Sequence, residues 1–366
     1  MTDRKNNFRI RKTLEVSKDI LKDCTLENGG IVAANSGKRY YPANAKSYYY
    51  VWPRDAAFAC LASDMVGMHD IPEKFFRWCL INAEGFREDG LFFEKYYPNG
   101  LKAGMNFQPD QNGIILLAAH DHLRKHPPGN GEEVIKEVIT LAANGLCRIW
   151  NRTHLTMVSN DLWEERFCFP HLEENFTYSL AACIKGLQCA HNILPNEKWI
   201  DIAGEMKNRL ERHFDKHFVR SYGKLADTRI DASVMGLAYP FEVYDPEDPR
   251  MVSSMDEIEN KLLINDGIHR YEHDDYDGWM HNGKHMNKGS GSWPLLNFWM
   301  SICYSKRNNK EKAEDYYYRV IDRLRDDCLI PEQIFENNIQ SSVRPLLWSH
   351  AMFILASEYL KLVSLT

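Results

Sequence analysis

One feature limits what this chain can fold into more than any other: apolar residues recur at i, i+3, i+4 and i+7 along most of its 366 residues. Stretches with that helical period lie at roughly 8–24, 54–67, 71–86, 108–126, 132–151, 173–193, 196–215, 230–239, 253–263, 293–305, 309–325 and 345–363, with ends good to about 2–4 residues. Alternating runs of the strand type are few and short. Pro and Gly clusters separate the helices, as in HPPGNG (126–131), YDPEDPR (244–250) and the long stretch 266–292. No composition break or linker divides the chain, so a single all-α domain over residues 1–366 is expected. No short sequence repeat is visible.

The connections alternate in character. Those between the second and third, sixth and seventh, and tenth and eleventh helices are short and plain. Those entering the second, fourth, sixth, tenth and twelfth are long and rich in Trp, Tyr, Asp, Glu, Arg and Gly. If neighbouring helices pair antiparallel, every rich connection opens on the same end. Twelve helices in six such pairs predict an (α/α)6 barrel with a cleft on one rim, where long loops usually carry function.

Charge and cysteine content narrow the function classes. Lys plus Arg number 45 against 51 Asp plus Glu, a formal charge of −6. That leaves no basic footprint for nucleic acid or an anionic membrane surface. No apolar run approaches the ~18 residues of a membrane span, and MTDRKNNFRIRKTLEVSKDI has no apolar core of a secretory signal. Nine scattered cysteines form no CxxC pair, which removes zinc-ribbon and thioredoxin readings and predicts free thiols in a reducing cytoplasm. Nothing in the sequence sets an oligomeric state.

Aromatic residues are plentiful, with 9 Trp, 18 Tyr and 17 Phe, and many sit in polar, Gly-containing segments. Flat rings there can stack on sugar faces, although Trp and Tyr also fill cores. Five segments stand out: Tyr48 to Asp55 (YYYVWPRD), Asn106 to Gly113 (NFQPDQNG), Ser159 to Arg166 (SNDLWEER), Arg270 to Pro294, and Pro331-Glu332-Gln333 with the later LWSHA at 347–351. Arg54-Asp55 and Arg270 with Asp274 can each grip vicinal hydroxyls, because a guanidinium and a carboxylate hold two oxygens at once. A helix-capping ion pair is the plain alternative. Trp163-Glu164-Glu165 sets two acids beside an indole. A carboxyl against an aromatic wall loses solvation and can stay protonated as a general acid, whereas first-turn acids ahead of a helix are commonplace. Glu332 matters if the fold returns it to the same rim, since two carboxyls across a cleft are what glycosidic cleavage needs.

Taken together, YYYVWPRDAA (48–57), FQPDQNG (107–113), DLWEER (161–166), RYEHDDY (270–276), PEQ (331–333) and PLLWSHA (345–351) resemble the motifs of glycoside hydrolase family 15, the glucoamylase family, in the family's order. The resemblance implies an (α/α)6 barrel and an inverting mechanism, with Glu164 as general acid and Glu332 as general base. It assigns Arg54, Asp55 and Arg270 to hydroxyls of the non-reducing glucose, Trp52, Tyr48 and Trp163 to its walls, and Glu165 to the next sugar. Gln108, Asp110, Asp274 and Trp348 are expected to line the pocket. The implied activity is exo-cleavage of small soluble α-glucosides or oligosaccharides. An α,α-trehalase is the alternative, and a non-catalytic carbohydrate-sensing protein the second. No N-terminal β-sandwich or starch-binding module is expected, and no cofactor.

Metal motifs are weak. His281 and His285, near His273, Asp274 and Asp275, show an H-x-x-x-H spacing, but Asn282 and Gly283 argue against the helix that would align them. His120, His122 and His126 in HDHLRKH read as a solvated helix face, so no metal is expected. GSGSW lacks the third glycine and the preceding strand of a dinucleotide fingerprint. Cys60, Cys79, Cys183 and Cys189 fall in apolar helical patterns and read as core.

Overall fold

The computed structural model describes residues 2–126, 131–278, 280–281, 289–337 and 339–365. Its α-helices are α1 (Thr2–Cys24), α2 (Pro53–Met65), α3 (Asp70–Ile81), the single turn α4 (Phe86–Asp89), α5 (Pro109–Lys125), α6 (Glu132–Ile149), α7 (Thr177–Ile193), α8 (Glu197–Leu210), α9 (Pro249–Leu262), α10 (Pro294–Lys306), α11 (Lys310–Ile321) and α12 (Leu347–Leu360). A 3-10 helix, Ala232–Leu237, joins them.

Side-chain burial sorts these helices into two shells. Along α2 every residue from Pro53 to Asp64 is buried, and α10 is buried from Pro294 to Tyr304. A helix apolar on all sides has no face for water and must lie inside. On α3, α6, α8, α9 and α11 one face is buried and the other polar. The inner shell closes on itself: α2 packs on α5, α5 on α7, α7 on the 3-10 helix, that helix on α10, α10 on α12, and α12 on α2. The outer helices α1, α3, α6, α8, α9 and α11 each cover an inner neighbour. The architecture is the (α/α)6 barrel that the alternating connections predict.

The inner helices approach closely where side chains are absent. A Cβ on Gly113 of α5 would lie 2.2 Å from the carbonyl oxygen of Ala182, and one on Gly186 of α7 would lie 2.8 Å from Cα of Gly113. Larger residues there would force the two backbones apart.

All twelve predicted helical segments contain a helix, and the differences have local causes. The third ends at Ile81 and not at 86, because Gly85 takes a left-handed φ of +81° and turns the chain into α4. The sixth begins at Thr177 and not at 173, because Asn175 and Phe176 pair as a strand with Tyr222 and Ser221. The eighth is 3-10: Pro240, three residues on, cannot donate a helical hydrogen bond, and Gly236 sits tight against the Tyr178 ring. All nine cysteines are free and buried. No helix among the described residues is long and apolar enough to cross a membrane. His122 departs from its predicted solvated setting, being buried in the last turn of α5.

Candidate active site

The starts of α2, α10 and α12 floor a cleft of about 650 Å³. Arg54 and Asp55 open α2, Trp293 precedes α10, and Trp348 lies in the first turn of α12. Glu164, Glu165 and Glu332 enter the same cleft from loops.

The loop carrying Glu164 is a turn between two short antiparallel strands, β1 (Ser159–Asn160) and β2 (Phe167–Cys168). Glu164 has a φ of +64°, a left-handed conformation uncommon for a non-glycine residue. It persists because the turn is over-determined. The Asp161 carboxylate accepts from the backbone N–H groups of Glu165 (2.8 Å) and Arg166 (3.1 Å), and the Asp161 carbonyl accepts from Glu164 N–H at 3.1 Å. Beneath it, buried Arg220 pairs with Asp161 and, at 3.1 Å, with Asp231. Asp231 in turn accepts from Trp163 Nε1 at 3.1 Å. One buried cation thus steadies both the acid-bearing turn and the indole beside it.

Trp52 Nε1 donates to Glu164 at 2.5 Å, while Arg54 and Lys95 each stand 3.8 Å from its carboxylate. Lost solvation raises the Glu164 carboxyl to about 7, with repulsion from Glu94 adding to it and Arg54, Lys95 and Trp52 opposing. Glu332 is buried, at 4% exposure. The Tyr48 hydroxyl donates to Oε1 at 2.9 Å and the Tyr276 hydroxyl to Oε2 at 3.2 Å. Burial lifts this carboxyl to about 7 as well, against the lowering effect of Tyr48, Arg270 and Tyr276. Its loop is pinned by backbone: Glu332 N–H donates to Val343 O at 2.9 Å, and Ile330 N–H to His350 Nε2 at 2.9 Å. Burial holds His350 neutral, down to about 3.

Two arginines organise the rest. Arg54 Nη1 donates to Gln108 (3.2 Å) and Asp110 (3.3 Å), and its guanidinium lies 5.2 Å from the Trp348 ring. Asp55, at 5% exposure, has its carboxyl raised to about 6 by burial despite Arg54. Arg270 makes a two-point contact with Asp274 at 2.7 and 2.8 Å and a third bond to Glu165 at 2.6 Å. Four rings surround it, of Trp163, Tyr271, Tyr276 and Trp293, at 4.9–5.5 Å.

Of the residues singled out from sequence, Tyr48, Trp52, Arg54, Asp55, Trp163, Glu164, Glu165, Arg270, Glu332 and Trp348 line the cleft together. Three expected to line it do not. Gln108 and Asp110 are fully buried behind Arg54, and Asp274 lies behind Arg270. Each is a short acceptor at the root of a buried guanidinium and cannot reach past it. Tyr276, Trp293 and Lys95 also line the cleft without having been assigned to it. Tyr276 and Trp293 fall inside the fourth aromatic segment, a usable signal; Lys95 in FFEKYY carries none. His285 and the side chain of His281, which carry the H-x-x-x-H spacing, lie outside the described residues.

Residues 21–307 match the family model described as glycosyl hydrolases family 15. The chain belongs to that family. An uncharacterized glycosyl hydrolase of Methanocaldococcus jannaschii is 30% identical over 379 residues, covering 96% of this chain and 56% of the relative. The isomaltose glucohydrolase of Kribbella flavida is 24% identical over 280 residues, 70% of this chain and 66% of that protein. The chain therefore spans about half to two thirds of the length of these relatives. A solved structure described as a wild-type glycosidase superposes with a TM-score of 0.80 at 20% identity, over 98% of both chains, a likeness of fold.

Proposed function

We propose that this protein is an inverting, exo-acting hydrolase of short α-glucosides that releases β-glucose from non-reducing ends. The observation that carries the reading is the pair of carboxyls on one cleft, Glu164 and Glu332, both lifted to about 7 but held by different partners. Glu164, repelled by Glu94, is suited to hold a proton and give it to the leaving-group oxygen. Glu332, stabilised as a carboxylate by two phenol hydroxyls, is suited to take a proton from water attacking the opposite face of the anomeric carbon. The balance closes with water alone: one proton leaves Glu164 with the aglycone, and one passes from water to Glu332. Such a mechanism needs carboxyls roughly 6.5–9.5 Å apart, leaving room for the water.

Supporting the choice of a sugar, the Trp293 and Trp348 indole N–H groups and Arg54 Nε, which stands 3.8 Å from Asp55, are buried without a hydrogen-bond partner among the described residues. Buried donors of that kind await an acceptor, and hydroxyls supply one. Supporting exo-action, the inner helices close the floor beneath Arg54 and Trp348, so a glucan would enter by its end. A relative's description as an isomaltose glucohydrolase favours short α-glucosides. All the groups invoked come from this one barrel.

The test is a proton NMR time course with maltotriose, isomaltose and trehalose in parallel. β-Glucose appearing first from maltotriose or isomaltose is the expected result. α-Glucose appearing first would remove the inverting roles of Glu164 and Glu332. Turnover of trehalose alone would make the protein an α,α-trehalase, and turnover of none would favour the sensing role.

A further inference from the structure

At the end of the barrel away from the cleft, three imidazoles converge on one buried carboxylate. Asp64 lies in the last turn of α2, nine residues after Asp55 and so about 14 Å further along the helix axis. Its side chain is 1% exposed. His69, the residue before α3, brings Nδ1 to 3.1 Å from Asp64 Oδ1. His126, at the end of α5, brings Nε2 to 3.1 Å from the same oxygen. His122, one turn earlier on α5, donates from Nδ1 to Oδ2 at 2.9 Å.

We propose that Asp64, His69 and His126 form a binding site for a zinc-class divalent metal ion, with His122 fixing the carboxylate from behind.

A buried carboxylate needs a cation or a full set of donors. Asp64 has no Lys or Arg partner among the described residues; it accepts from Nδ1 of His69 and of His122, and His126 Nε2 stands 3.1 Å from the oxygen that His69 meets. A divalent ion held by Asp64, His69 and His126 would bring a full positive charge to that carboxylate. The donor set agrees: one carboxylate oxygen with imidazole nitrogens suits zinc, cobalt or nickel and does not suit calcium or magnesium, which take oxygen ligands.

Donor atoms of Asp64, His69 and His126 all lie within 4.8 Å of one another. Tetrahedral ligands at about 2.1 Å from a metal are about 3.4 Å apart, so the three groups need to move by about 1 Å or less each. The His69 and His126 rings already lie 3.8 Å apart between centroids, tilted by 45°. Nε2 of His126 is buried and makes no properly directed hydrogen bond, although it points at Asp64. A lone pair held in that way is what a metal ligand requires.

The two outer ligands are reachable from solvent, with side-chain exposures of 44% for His69 and 22% for His126. His122, 4% exposed, is shielded. Its bond to Asp64 resembles the outer partners that orient ligands in metal sites. A metal here would tie the far ends of α2, α3 and α5 into one cross-link.

The experiment titrates the metal-stripped full chain with zinc chloride by calorimetry, and separately with cobalt(II) followed by visible absorption. One equivalent of Zn(II) per chain is expected, together with a Zn(II)-dependent rise in melting temperature. Binding should weaken by about tenfold or more in His126→Gln and be lost in the His69→Gln, His126→Gln double variant. Both positions are partly exposed, and melting curves without metal verify that the variants fold. Absence of saturable binding in the unaltered protein, or equal binding in the double variant, would overturn the site. Glucoside hydrolysis is no part of the readout, so this test stands or falls apart from the catalytic reading.

Discussion

Burial lifts both Glu164 and Glu332 to about 7, against different sets of neighbours. Glu164 sits on a strained turn at the open side of the cleft, 28% exposed, among Arg54, Lys95 and the repelling Glu94. Glu332 sits on a backbone-pinned loop, buried, with two tyrosine hydroxyls on its oxygens. Glu164 is held down chiefly by the charges of Arg54 and Lys95, and Glu332 chiefly by the Tyr48 hydroxyl, with Arg270 and Tyr276 after it. Charges act at a distance and are screened, whereas hydrogen bonds act only at contact. The two should therefore respond differently when a neighbour is removed.

The bluntest way to separate them is to neutralise each. Glu164→Gln should cut kcat by about 10²–10⁴-fold, the usual worth of a positioned acid or base, and Glu332→Ala should do the same. Azide should restore turnover to Glu332→Ala by attacking in place of water. It should do nothing comparable for Glu164→Gln with an unactivated substrate. Rescue of neither, or normal activity in either, would break the assignment.

A second contrast lies in stability. The folded carboxyl of Glu332 titrates at about 7 against an ordinary 4.5. The neutral form is thus favoured in the fold, the associated stability is intact below about 4.5, and it is lost as pH rises through about 7. Glu332→Gln should then melt higher than the unaltered protein at pH 8, by up to about 3 kcal/mol, with the gap closing toward pH 4. Thermal scans across that range check it. A gap that stayed constant with pH would mean that burial does not set this carboxyl.

The finest contrast is in the pH–rate profile. Tyr48→Phe removes a bond that favours the Glu332 carboxylate, so its acidity should weaken and the acid limb of kcat/KM move upward, by about one unit. Glu94→Gln removes repulsion that favours protonated Glu164, so the alkaline limb should move downward by less than that. High salt should shrink the second shift and leave the first.

The helical period and the alternation of plain and polar connections carried the architecture, because both shells of the barrel must bury a face in every turn. What they could not carry was depth. Gln108, Asp110 and Asp274 look in sequence like Asp55 and Glu165, since nothing local tells a polar side chain that lines the cleft from one that lies behind an arginine. His122 was misplaced for the related reason that its partner, Asp64, lies 58 positions away. Nor could sequence find Lys95, whose relation to Glu164 exists only after the connection between α4 and α5 meets the β1–β2 turn.

The shared direction of α2, α10 and α12 has one more consequence. Peptide dipoles aligned along each of them place partial positive charge at the cleft floor and partial negative charge at the far end. By itself that field would disfavour an oxocarbenium-like sugar. The carboxylates gathered at the cleft, Asp55, Glu164, Glu165 and Glu332, oppose that field, so the barrel is a polarised tube with acids set against its positive front.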